Sequence, residues 1–248
     1  MILAAGLGTR LKPLTDTIPK ALVEVNGVPM LERVILTLKN QGFNEIVVNV
    51  HHFSQMIIEF LKEKKFGVNI LISDESNQLL DTGGGIVKAM PILFKDDRIP
   101  VLFHNVDILS NADVGKVINE SKSNSKGVLL VNDRNSSRKL ICDQEMNLRG
   151  WHDLKNENYR PEGIERELDS SLKEFAFSGI YALTYENIDE MRKLMGDVKY
   201  SVMDYFLNSS RKVGLKGLEQ KDLKLLDIGK PATLSQASEL LEYCYNKF

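Results

Sequence analysis

A chain of 248 residues, 43% hydrophobic and 27% charged, is long enough to bury a sizeable core as one large globular domain or two small ones. Its 32 Lys and Arg against 34 Asp and Glu leave a net charge of -2, which excludes the basic surface needed to neutralise a nucleic-acid backbone, so any phosphate it handles is expected on a small molecule. Cys142 and Cys244 lie far apart and fit no metal-ligand spacing, and the apolar run at 2–5 falls far short of a signal core or of the roughly 20 residues that span a bilayer. The expected compartment is the cytoplasm, with no nucleic-acid partner and no membrane.

In chain order, 2–5 reads as a strand, 30–41 as an amphipathic helix stopped by Gly42, and 45–50 as a strand. A helix over 54–65, closed by Phe66 and Gly67, a strand over 69–73, a helix over 84–94 and a strand over 101–106 follow. Such β-α-β alternation predicts a parallel sheet with helices on both faces. After about Ser125 the texture changes. Residues 127–131, 139–142, 147–151 and 175–183 read as strands, with polar turns between them and one long loop over 153–172. This half is expected to add antiparallel strands and a substrate-facing lobe. The aromatic residues of 200–206 fall at helical spacing and read as packing, and 233–245 reads as a closing helix. No repeat, low-complexity tract or linker interrupts the chain, which favours one mixed α/β domain.

Ligands of such sheets bind at the carboxyl ends of the strands. After the first strand comes Gly6-Leu7-Gly8-Thr9-Arg10, followed by Pro19-Lys20. The third glycine of a dinucleotide fingerprint is replaced by Leu11, and the G-K-[ST] of a Walker loop is absent. What remains is a loop whose backbone can approach a nucleotide closely, with Arg10 and Lys20 as cations for phosphate oxygens. A tight turn beside two solvated cations accounts for these residues as well, and two later features weigh against it. Asp107 ends the apolar run "VLFHNVD", where a carboxylate is costly unless paired or bound to a cation, while Ser110, Asn111 and Asp113 are better caps for the next helix. Asp227 ends a second apolar stretch in "LKLLDIGKP". Two strand-end aspartates and a phosphate loop suggest metal-assisted phosphate chemistry.

Together, Gly6 to Arg10, Pro19-Lys20, Asp107 and Asp227 resemble the sugar-nucleotide pyrophosphorylases, the nucleotidyltransferases that make NDP-sugars, over essentially the whole chain. Within that group "DTGGGIVKA" at 81–89, "HNVDILSNAD" at 104–113 and "FSGIYAL" at 177–183 look most like the N-acetylmuramate-1-phosphate uridylyltransferase branch of cell-wall recycling, with mannose-1-phosphate guanylyltransferases as near neighbours. The resemblance implies a Rossmann-like three-layer αβα sandwich around a mixed, mostly parallel sheet, the nucleotide-diphospho-sugar transferase fold. It implies a single domain over 1–248, with a nucleotide-binding half at 1–125, a sugar-binding half at 126–248 and no left-handed β-helix.

It also implies roles. Ala5, Gly6, Gly8 and Thr9 would hold the nucleotide, largely through the main chain. Arg10 would hold the β- and γ-phosphates, Lys20 would bridge the α-phosphate and the sugar phosphate, and Asp107 would join them in catalysis. Thr82 and Gly83 match the segment that touches the base, and Glu75 aligns with its polar contact. Asn105, Ser178 and Gly179 would line the sugar pocket, and Asp107 and Asp227 would coordinate Mg²⁺. The implied partners are an NTP, with UTP favoured, and a sugar-1-phosphate, in a monomer or homodimer. Two departures are Val106, where the family has glycine, and the short run before Ala4-Ala5.

In this reaction a sugar-phosphate oxygen attacks the α-phosphorus in line and pyrophosphate leaves. Positioning and charge neutralisation then carry catalysis, and no general base is demanded. His51 and His52 point to opposite faces of a strand end with no third ligand nearby, and read as loop residues flanking the site, His52 nearer the ligand. Trp151 reads as core or as a sugar platform, and the 153–172 loop as solvated surface or as a lid. The alternative acceptors are mannose, another hexose or a heptose 1-phosphate. Cytidylyl transfer to phosphocholine would call for an aromatic or acidic cage, which does not stand out. A non-catalytic nucleotide sensor is disfavoured by the intact Arg10, Lys20, Asp107 and Asp227.

Overall fold

In a computed structural model that describes residues 1–94, 99–167, 171–229, 231–234, 236, 237, 240 and 241, the first strand β1 (Ile2–Leu3) stops at two residues. It ends because the Ala4 N–H turns away from the ladder to donate to Asn49 Oδ1 at 2.7 Å. A small hairpin, β2 (Glu24–Val25) and β3 (Val28–Pro29), leads into helix α1 (Met30–Asn40). Its buried Met30, Leu31, Val34, Ile35 and Leu38 recur at helical spacing, so one stripe faces the sheet. Each such side chain contributes about 1.5–3 kcal/mol when fully buried.

Strand β4 (Glu45–Val50), helix α2 (Ser54–Glu63), strand β5 (Asn69–Asp74), helix α3 (Asp81–Leu93) and strand β6 (Val101–Asn105) complete the alternating half. β1 lies between β4 and β6 and pairs parallel to both, and β4 pairs parallel to β5. The short β7 (Ile108–Ser110) and helix α4 (Val114–Asn124) follow, the helix capped by Asp113, whose side chain accepts from Lys116 N at 3.1 Å.

The second half supplies β8 (Gly127–Asn132), β9 (Arg138–Cys142), β10 (Leu148–Asp153), β11 (Asn158–Arg160) and the long β12 (Lys173–Leu183). Helices α5 (Tyr185–Met195) and α6 (Val202–Phe206), strands β13 (Leu215–Glu219) and β14 (Leu225–Asp227), and the short α7 (Pro231–Leu234) close the chain. β12 pairs antiparallel with β6, β8 and β9, so one strand ties the parallel half to the antiparallel half. Its register against β8 shifts between Phe177 and Tyr181.

One apolar cluster packs Leu31, Ile35, Ile57, Leu61 and Val117 of α1, α2 and α4 on one sheet face. A second packs Ile86, Met90, Ile188, Met191 and Phe206 of α3, α5 and α6 on the other. Helices therefore cover both faces, as the β-α-β pattern predicts, around a mixed sheet whose central strands are parallel. A third cluster joins Leu11, Val23, Val25 and Met30 to Leu109 and Ile228, which fastens the glycine-rich segment to the end of β14.

One expectation changes, and another falls largely outside the described residues. The 153–172 loop is partly structured, since β10 runs on to Asp153 and β11 pairs back on it, with Trp151 opposite Arg160 and His152 opposite Tyr159. The closing helix expected over 233–245, like Cys244 and part of that loop, lies largely outside the described residues. Among those residues no helix is long and apolar enough to cross a membrane.

Candidate active site

The chain leaves β1 through Ala5 and Gly6 and turns at Gly8, whose φ of +68° is a left-handed value that glycine adopts without strain. A Cβ at Gly8 would lie 2.9 Å from Thr15 Cγ2 and 3.0 Å from Lys20 Cβ. The Thr15 hydroxyl closes the loop by donating to Gly8 O at 2.8 Å. Gly6, by contrast, has nothing within 4 Å of where a Cβ would stand. Its backbone is open to a ligand.

A cavity of about 350 Å³ opens over this loop. Ala5, Gly6, Gly8 and Thr9 line it together with Lys20, Asp107, Asp81, Thr82 and Lys199. Asn105 borders this cavity and a second one of about 550 Å³, which Ser178, Gly179, Trp151 and Asp227 help to line. Gly179, at φ +77°, is the point where β12 lets Asn105 approach, because a Cβ there would lie 2.8 Å from Asn105 Nδ2. The Ser178 hydroxyl is buried and bonded within the same strand, to Ile180 N at 3.1 Å and Ile180 O at 3.3 Å.

Asp107 and Asp227, 120 residues apart in the sequence, meet because β14 pairs antiparallel with β7, bringing Asp227 opposite Ile108, and Ile228 N donates to Asp107 O at 2.8 Å. Lys20 Nζ makes an ion pair with the Asp107 carboxylate. Arg10 Nη1 stands 3.9 Å from Asp227 Oδ2, and Gly229 N donates to Asp227 Oδ1 at 2.7 Å. Burial first, and then the nearby Asp107 charge, hold the Asp227 carboxyl above its ordinary range, against the opposing pull of the Gly229 N–H, Arg10 and Lys20. A buried carboxyl raised in part by the charge of a second carboxylate beside it marks a place for a cation.

Among the described residues no cluster of three or more His, Cys, Asp or Glu is arranged to hold a metal ion. A carboxylate pair is nonetheless the protein's share of a Mg²⁺ whose other ligands are phosphates and water, so the donor set fits. His104, beside this pair in the chain, is buried and pushed down to about 4 by desolvation, with its Nδ1 2.8 Å from Asn105 O. It is a neutral packing residue near pH 7.

Two of the expected nucleotide residues point elsewhere. Glu75 is fully buried and does not reach the cavity. Its Oε1 accepts from Asn49 Nδ2 at 2.7 Å and its Oε2 from Leu80 N at 3.2 Å, so it braces the residue that holds Ala4 and the entrance to α3. Burial raises its carboxyl, with both of those donors opposing. Gly83 donates its N–H to Tyr200 O at 2.9 Å and would place a Cβ 2.3 Å from Tyr200 Cε2. The glycines of "TGGG" thus admit Tyr200, the Val198 carbonyl and Glu75 to the start of α3. Thr82 does line the cavity, although its hydroxyl also accepts from Val202 N at 2.8 Å. His51 Nδ1 lies 2.7 Å from Glu75 O, and the His52 ring lies against Phe53, tilted by 46° with centroids 4.1 Å apart.

Sequence reasoning overlooked Asn49, Asp81 and Lys199 at the smaller cavity and Arg134, Arg138, Lys139 and Arg160 at the larger one. Asp81 at least carried a signal, as the acidic residue immediately before the glycine run. The arginines are scattered over three segments that are assembled by the pairing of β8 and β9 with β12 and of β9 and β11 with β10.

The family described as nucleotidyl transferase matches residues 1–139. The chain is 43% identical over 114 residues to an N-acetylmuramate alpha-1-phosphate uridylyltransferase of Neisseria meningitidis, covering 46% of this chain and 48% of the relative. It is 38% identical over 133 residues to a mannose-1-phosphate guanyltransferase of Yarrowia lipolytica, covering 53% of this chain and 36% of the relative. The matches thus span about half or less of the curated relatives' length. The crystal structure of HddC from Yersinia pseudotuberculosis superposes with a TM-score of 0.74 at 24% identity, over 96% of each chain, and shares the fold.

Proposed function

The chain belongs to the nucleotidyl transferase family, and from that membership we propose that it transfers a nucleoside monophosphate from an NTP to a sugar-1-phosphate, releasing pyrophosphate. The observation that carries this reading is the convergence of Lys20, Asp107, Asp227 and Arg10 where two cavities meet at Asn105. A reaction between two anionic phosphates needs such a junction, with one pocket for each reactant and cations between them.

The residues divide the work. The open backbone at Gly6 and the turn at Gly8 receive the triphosphate in the smaller cavity. Arg10 neutralises the departing pyrophosphate. Lys20 gives up Asp107 to bridge the α-phosphate and the incoming sugar phosphate, whose attacking oxygen is already ionised near neutral pH. That oxygen forms the new bond to the α-phosphorus as the bond from the α-phosphorus to the bridging oxygen of the pyrophosphate breaks. Asp107 and Asp227 would hold Mg²⁺, which supplies charge neutralisation across the phosphates. Excluding water from the junction strengthens each of these contacts.

We assign UTP and N-acetylmuramate 1-phosphate as the substrates, on the likeness to the uridylyltransferase and on the "DTGGGIVKA" segment. Pyrophosphate release measured for four NTPs against N-acetylmuramate, mannose and glucose 1-phosphates tests both levels. Release with UTP and N-acetylmuramate 1-phosphate is expected. Faster release with GTP and mannose 1-phosphate would overturn the substrate assignment, and no release from any pair would overturn the transferase itself.

A further inference from the structure

β9, β10 and β11 form the outer wall of the larger cavity, separated from β6 in the strand order by β12. Trp151 lies opposite Leu140 on one side and Arg160 on the other, and Arg138, two residues before Leu140, shares their face. All four line the cavity.

The cations here outnumber the task already assigned. A sugar phosphate that reacts at the α-phosphorus has its own phosphate at Asp107 and Asp227, next to Lys20, and the outer strands do not serve it. Arg134 and Lys139 are committed to building the wall. Arg134 Nη2 donates to Phe177 O at 2.7 Å, and Lys139 Nζ donates to Arg134 O at 2.7 Å. Arg138 and Arg160 are different. Arg138 is exposed, with Nε 3.8 Å from Asp153 Oδ2, too long for a hydrogen bond, and the Arg160 guanidinium lies 5.8 Å from the centroid of the Trp151 ring. An aromatic face flanked by two guanidiniums suits a sugar substituent that ends in an anion, because guanidinium matches carboxylate geometry and an indole covers the apolar carbons beside it.

We propose that Arg138 and Arg160 hold, over Trp151, a carboxylate that the acceptor sugar carries in addition to its 1-phosphate. This rests on the sugar-1-phosphate reading above. The carboxylate has two sources, a lactyl ether on the ring or an oxidised C6, and the chemistry recognised is the same.

The test compares pyrophosphate release with three 1-phosphates: N-acetylmuramate, its counterpart without the lactyl group, N-acetylglucosamine, and glucuronate. One of the two acid-bearing sugars is expected to exceed N-acetylglucosamine in kcat/KM by about tenfold to a hundredfold, the range for a charge-assisted contact. Arg138→Gln and Arg160→Gln should remove most of that preference through KM, with a much smaller loss on N-acetylglucosamine 1-phosphate than on the acidic sugar, and Arg160→Lys should restore part of it. Both arginines are exposed, so these variants should melt as the wild type does. Equal turnover of neutral and acidic sugars by the wild type would overturn the inference while the transferase reading stands, as would an equal loss on all three sugars in the variants. Release from none of the three, nor from any other sugar-1-phosphate, would overturn both.

Discussion

Lys20 and Asp107 form an ion pair whose side chains are only 12% and 13% exposed, in the lining of the cavity above the glycine-rich loop. Neither group can lose its partner without leaving a charge in a largely dry place. In the absence of Mg²⁺, Asp107→Asn and Lys20→Met are each expected to lower unfolding stability by about 1–3 kcal/mol, and the double variant by less than the sum. Urea denaturation in EDTA measures this, and simple additivity would show that the pair is not coupled. Pyrophosphate release should fall by about a hundredfold or more in Asp107→Ala while the fold is retained.

Glu75 separates a bracing role from a base contact. As a brace between Asn49 and Leu80 it should affect every nucleotide alike, so Glu75→Gln is expected to raise KM for UTP, GTP and CTP by a common factor. A change in base selectivity would put the side chain on the base instead. Its carboxyl is raised by burial, so the stability it contributes is present below the ordinary carboxylate range of about 4.3 and is lost as pH rises through the raised value. Wild type should therefore lose ground against Glu75→Gln in denaturation midpoints as pH rises above the ordinary carboxylate range. A pH-independent difference would contradict this.

Gly83 leaves no room for a methyl group, given the 2.3 Å from its missing Cβ to Tyr200 Cε2. Gly83→Ala should destabilise the fold by about 1–3 kcal/mol through overpacking. Adding Tyr200→Ala should return part of that loss, since the two changes share one volume. A thermal melt in which the effects merely add would place the strain elsewhere.

What was legible in the sequence followed the range of the interactions. The helical period of 30–41 and the apolar run of 45–50 were read almost to the residue, since the observed elements are Met30–Asn40 and Glu45–Val50. Asp107 and Asp227 were singled out by their position after apolar runs. Their proximity was not, because it depends on β14 pairing with β7 across more than 100 residues. The same holds for "TGGG", where the reason for glycine is the approach of Tyr200 and Glu75. The short β11 and β13 were passed over, since strands of three and five residues carry little periodicity.

Trp151 was legible only as a choice between core and sugar platform, and its cavity-lining position favours the platform. It is the single tryptophan of the chain, so its emission reports on the larger cavity alone. Addition of the sugar-1-phosphate should change the intensity or wavelength of that emission, and addition of NTP to the smaller cavity should change it little. Trp151→Phe retains a flat apolar face and should raise KM for the sugar phosphate only a few-fold. Trp151→Ala removes the face and should raise it about tenfold, the scale of one aromatic contact. KM for the NTP should stay constant in both. A response to NTP as large as that to the sugar phosphate would mean that the two cavities do not divide the substrates as their linings suggest.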